Sequence, residues 1–122
     1  MSPILLPIPP AGTWKRDCEL LDFRLIPFLY FDFIKDSDQK KWRIEFSDYI
    51  SFKITSEEFF IYKKNITFPI GGAFYLIENS PWIENLNKIQ HPAICNIKHY
   101  LLFFYNEVIE VISDNIKYKP IL

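Results

Sequence analysis

From Ser80 to Ser113 the chain reads SPWIENLNKIQHPAICNIKHYLLFFYNEVIEVIS, and this stretch constrains the fold more than any other. Its hydrophobic period changes once, from helical to strand. Ser80 is a natural N-cap, and Pro81 suits the first helical position, where its missing N–H costs nothing. Trp82, Ile83, Leu86 and Ile89 recur at helical spacing until Gln90-His91-Pro92 ends the run, so one helix is expected over about residues 81–90. Beyond Ile97, HYLLFFY and VIEVIS read as two strands joined at Asn106-Glu107. A two-residue turn there pairs Tyr105 with Val108, Phe104 with Ile109 and Leu102 with Val111. One face then carries Tyr100, Leu102, Phe104, Ile109 and Val111. The other carries Leu101, Phe103, Glu110 and Ile112, with His99 opposite Asp114. Both faces are apolar enough to need cover. Glu107 lacks the ease of glycine at positive φ, so a longer loop with a different pairing stays open.

Upstream, residues 1–13 hold Pro3, Pro7, Pro9, Pro10 and Gly12. They predict an irregular arm whose pairing, if any, is at a sheet edge, with Trp14 holding it down. Residues 18–23 and 27–34 read as strands. In the second, Leu29, Phe31 and Phe33 face one way, while Asp32 shares the other face with Tyr30. After the polar turn KDSDQK, Trp42, Ile44 and Phe46 alternate with Lys41, Arg43 and Glu45. Ile50, Phe52 and Ile54 then alternate with Ser51 and Lys53, which predicts a hairpin with an odd-numbered loop around Ser47-Asp48-Tyr49. Thr55 and Glu58 have capping-box spacing, so a short helix is expected from there to about Lys64, although FFIY suits a strand equally. AFYLIE is a strand leading into the helix at Ser80, and residues after Ser113 form a tail with Tyr118 against the sheet. The expected fold is α+β, one antiparallel sheet of five or six strands with the 81–90 helix packed on it, in a single domain spanning 1–122.

Composition narrows the function. An apolar share of 49%, with 18% aromatic residues, excludes a disordered chain. The formal net charge of −1 offers no basic footprint for nucleic acid. Cys18 and Cys95 read as two free thiols of a reducing compartment. MSPILLPIPP lacks a positive n-region, and the apolar run LIPFLYFDFI is too short to span a bilayer and carries Asp32. A soluble, cytoplasmic protein is therefore expected.

Chemical constellations are few. His91, Cys95 and His99 have a metal-like i, i+4, i+8 spacing that converges only on a helix, and Pro92 with the following strand opposes one. A fourth ligand would have to come from afar, such as Cys18. No metal and no cofactor are expected. His99 opposite Asp114 has the makings of an oriented base, but a cross-strand ion pair explains it as well. Gly71-Gly72 stands alone and forms no phosphate loop. With so few catalytic groups in apolar context, the residues favour a binding protein over an enzyme.

SPWIENL followed by HYLLFFYNEVIEVIS, with Trp42-x-Ile44-x-Phe46 upstream, resembles small bacterial immunity-type proteins of polymorphic-toxin and contact-dependent growth inhibition systems. The likeness covers roughly Trp42 to Ser113. It implies a protein that binds a cognate toxin domain and blocks it by stoichiometric occlusion, without itself being an enzyme. No functional residue of that family transfers, and Trp82 and Glu110 fit structural roles first. If the toxin is a nuclease, its basic cleft would seek acidic residues, for which Asp36, Asp38, Glu45, Asp48, Glu57 and Glu58 are the candidates. Each also reads as an ordinary solubilising charge. Two alternatives stand beside this reading. One is a small adaptor pairing through the apolar hairpin, and the other is a small-molecule binder or hydrolase using His99 and Asp114. A monomer or weak homodimer is expected.

Overall fold

The computed structural model describes residues 3–9, 14, 17–57, 73–89 and 96–121. In chain order these form β1 (Ile4–Pro7), β2 (Cys18–Arg24), β3 (Leu29–Lys35), β4 (Lys40–Ser47), β5 (Ser51–Ser56) and β6 (Phe74–Glu78). Helix α1 (Pro81–Ile89), β7 (Lys98–Phe103), β8 (Glu107–Ser113) and β9 (Asn115–Ile121) follow. The fold is mostly antiparallel β structure with one short helix, which is α+β in the broad sense. The single sheet expected from the sequence is instead two, ordered β1-β6-β7-β8-β5 and β2-β3-β4-β9 among the described residues.

The two sheets meet face to face over an aromatic core. Leu29, Phe31 and Phe33 of β3 and Ile44 and Phe46 of β4 are fully buried against Phe74, Tyr100, Leu102, Ile109 and Val111. Phe33 lies 5.5 Å from Phe74, and Phe46 lies 5.4 Å from Tyr100. Trp14 joins this core, 5.0 Å from Trp42 and 6.0 Å from Phe33. The outer face of the four-stranded sheet is polar. Arg43 forks onto Asp32 with bonds of 2.7 and 2.9 Å, its guanidinium 4.0 Å from the Tyr30 ring. Strands with one wet face alternate in sequence, whereas β7 and β8, central in their sheet, are apolar on both faces. Their second face forms a separate cluster of Leu5, Tyr75, Ile77, Leu101, Phe103 and Val108.

Several sequence expectations are corrected. The final hairpin pairs Phe103 with Val108 and Leu102 with Ile109, so its turn is Tyr105-Asn106, one residue earlier than expected. This changes each partner by two residues, and an even change leaves every side chain on its expected face. It also sets His99 opposite Ile112 and leaves Asp114 exposed. β4 and β5 are not a hairpin. β4 lies between β3 and β9, while β5 pairs with β8. Asp48, at φ 50°, turns the chain from one sheet to the other, in a conformation Asp tolerates. Residues 115–121 are not a tail but β9, with Tyr118 stacked 6.1 Å from Phe74. β5 continues through Thr55 and Ser56, so the helix expected from Thr55 does not start there, and the rest of that segment lies outside the described residues. The arm contributes β1, an edge strand paired with β6.

Helix α1 begins at Pro81, with Ser80 as its cap. None of its residues is fully buried, so it rests on the sheet more lightly than the sequence suggests.

Candidate functional site

Among the described residues, two places gather chemistry-bearing side chains. The first lies where α1 starts. Ser80 Oγ accepts the Ile83 N–H at 3.2 Å, as an N-cap does. Its own proton is then free to go to His99 Nδ1, 2.6 Å away. His99 Nε2 is 2.9 Å from Glu110 Oε1, and a carboxylate only accepts, so the ring carries its proton on Nε2. Lys53 Nζ closes the chain at 3.3 Å from Glu110 Oε2 and lies 4.7 Å from the Trp82 ring. Trp82 in turn stands edge-on to His99 at 5.3 Å. Ser80, His99 and Glu110 are all buried. Burial alone would raise the Glu110 carboxyl, but the hydrogen bond from His99 and the charge of Lys53 outweigh it and hold the group below the ordinary carboxylate range.

Hydroxyl, imidazole and carboxylate thus stand in the order that acyl-transfer sites use, though Nδ1 rather than Nε2 faces the hydroxyl. Ser80 borders an open cleft of about 590 Å³ that Asn79, Ile83, Glu84 and Lys98 also line. Mechanically, the same chain ties the cap of α1 to β7, β8 and β5. The expected His99–Asp114 pair is absent. His99 uses Ser80 and Glu110 instead, because the hairpin register sets Glu110 opposite Leu101, diagonal to His99 on the face they already share. The SPW and HY–EVI segments singled out in the sequence converge here.

The second place is one end of the sandwich. The β3–β4 turn, the β7–β8 turn and the end of β5 come together there. Tyr105 N–H donates to Cys18 O at 3.0 Å, and Glu57 N–H donates to Asn106 O at 2.9 Å. Asp17 Oδ2 takes the Ser37 N–H at 3.1 Å, and Asp38 Oδ1 takes the Lys40 N–H at 3.0 Å. The exposed Tyr105 hydrogen-bonds Asp36, whose carboxylate pushes the phenol up to about 12. Burial pushes the neighbouring Cys18 thiol, also beside Asp17, up to about 12, so it is a poor nucleophile.

Of the acidic candidates, Asp36, Asp38 and Glu57 meet at this end. Glu45 does not, as it lies half-buried in mid-β4 with Lys119 Nζ at 2.6 Å. Asp48 sits at the other end of β4, and Glu58 is outside the described residues. Sequence reasoning overlooked Asp17 and Tyr105 here, and Ser80, Glu110 and Lys53 as partners of His99. Only the pairing register brings these residues together. His91 and Cys95 lie outside the described residues, and no metal-holding group of His, Cys, Asp and Glu occurs among the described ones. No described helix is long and apolar enough to cross a membrane. Compared with protein-family models, curated proteins and solved structures, the chain matches none.

Proposed function

We propose that this protein acts by binding another protein, and that the partner is a toxin domain which it blocks by occlusion in the cytoplasm. The observation that carries the reading is the sandwich end where the exposed Tyr105 hydrogen-bonds Asp36 with Asp17 nearby, and where Asp38, paired with Lys35, and Glu57 sit on the adjoining turn and strand end. Tyrosine is a favoured interface anchor, and carboxylates beside it suit a basic surface such as a nuclease cleft. The likeness of the Trp42–Ser113 segment to immunity-type proteins supplies the class of partner. The outer face of the final hairpin, through which the adaptor alternative would pair, carries Leu101, Phe103 and Val108, all buried, which favours the toxin-binding reading over it.

The test is co-expression with the toxin domain encoded beside the gene. Protection and a one-to-one complex are expected. Asp36→Lys with Glu57→Lys should slow association by roughly tenfold or more, because rim charges act mainly on encounter. Asp38 and Asp17 are left alone because they hold turn amides. Equal killing with and without the protein, and no complex, would reject the reading.

The Ser80–His99–Glu110 order favours a second reading, a serine hydrolase opening on the cleft beside Asn79. Fluorophosphonate labelling of Ser80 that His99→Ala abolishes would put it first.

A further inference from the structure

We propose that the free edge of β2 around Phe23 is a docking surface for a second copy of this chain, independently of the toxin reading. Large apolar side chains are exposed along one short run: Leu21 (47%), Phe23 (41%), Leu25 (45%) and Ile26 (85%). Asp22 to Ile26 line an open groove of about 460 Å³. Phe23 faces inward, 6.0 Å from Phe31 of β3 and 6.3 Å from Phe52 of β5, so the core is open to solvent at this edge. Scattered surface apolar groups need no explanation, but a contiguous run along a strand edge that has no partner among the described residues does.

The other edges carry guards. β1 ends in Pro7, β9 holds Lys117, Lys119 and Pro120, and β5 holds Lys53. On β2 the first half is also closed, because the Cys18 carbonyl is taken by Tyr105 and a bulge interrupts pairing between Leu20 and Asp22. Among the described residues, no strand pairs with the outer edge of residues 22–26.

Charge selects the occupant. Asp22 and Arg24 lie on the same outer face, with Arg24 Nε 3.4 Å from Asp22 Oδ2, and both side chains are more than half exposed. Antiparallel self-pairing that keeps like faces together needs its two-fold axis on a residue, not between residues. An axis at Asp22 sets two carboxylates face to face, and one at Arg24 sets two guanidiniums face to face. An axis at Phe23 sets Asp22 against Arg24 of the second copy, twice. It also brings Leu21 against Leu25 and Phe23 against Phe23 across the axis. The contact is small, so the dimer belongs to the weak class.

Sedimentation equilibrium from about 1 to 500 µM tests this, in the range where weak dimers dissociate. The average mass should rise from 14.6 kDa toward twice that value with concentration. Asp22→Arg and Arg24→Asp, each alone, should weaken association by at least roughly tenfold, since like charges then meet twice. The double variant D22R/R24D restores opposite pairing and should return to wild-type association. Thermal melting of each variant should match wild type, because these charges are exposed. A monomer at every concentration overturns the proposal. So does a dimer indifferent to the single reversals, or a double variant as weak as the singles. If the chain stays monomeric while Phe23→Ser abolishes capture of the toxin domain, the patch belongs to that partner instead.

Discussion

Glu110 shows how one buried carboxylate can tie three strands and a helix cap together. It takes His99 on one oxygen and Lys53 on the other, and His99 passes the order on to Ser80. A carboxyl held below its unfolded value adds stability that is present above that value and is lost as pH falls through the folded one. Unfolded Glu titrates near about 4.3. Urea unfolding should therefore show wild-type stability declining as pH drops below about 5, while Glu110→Gln, which has no such carboxyl, declines less steeply. At neutral pH the Gln variant should be about 1–2 kcal/mol weaker, because it keeps an acceptor for His99 but drops the charge facing Lys53. Parallel pH profiles for the two proteins would show that Glu110 is not the titrating tie.

At the scale of elements, the helix and the last strand exchange the importance that the sequence suggests for them. Trp82, Ile83 and Leu86 read as the apolar stripe that packs α1 on the sheet, yet no residue of that helix is fully buried. Leu86→Ala should cost only about 1 kcal/mol, whereas Leu102→Ala, at a fully buried site, should cost about 2–5 kcal/mol. Chemical denaturation of the two variants side by side checks the order. β9 reads as a tail, but it pairs with β4 over seven residues, from Ser47↔Asn115 to Lys41↔Ile121. Ending the chain after Ser113 should expose the edge of β4 and the Phe74 ring. Loss of the cooperative thermal transition is expected, and a truncated chain melting like wild type would mean β9 is dispensable.

For the molecule as a whole, the sandwich separates its surfaces by chemistry. One end gathers carboxylates around Tyr105, the outer face of the four-stranded sheet is a lattice of ion pairs, and the β2 edge is apolar. Exposed ion pairs contribute little to stability. Charge changes at Asp36 and Glu57, or at Asp22 and Arg24, should thus move association while leaving the melting temperature nearly unchanged. That makes binding separable from folding.

Local pattern alone was enough to place Ser80 as the cap of α1, the alternation of Leu29, Phe31 and Phe33, the inward face of Trp42, Ile44 and Phe46, and the two faces of the final hairpin. Each depends on backbone periodicity or on capping, which act over a few residues. The membership of sheets did not follow from pattern. Trp42–Phe46 and Ile50–Ile54 have the parity of a hairpin, but strands of equal parity pair equally well with distant partners. β9 pairs with β4 and β8 with β5, and the choice between such partners is made by the shared core of Phe31, Phe33, Phe74 and Tyr100, of which Phe74 and Tyr100 lie far along the chain from β4 and β5. The meeting of Ser80, His99, Glu110 and Lys53 is of the same kind. It depends on a register that changes by two residues without altering any face, a difference to which hydrophobic pattern is blind.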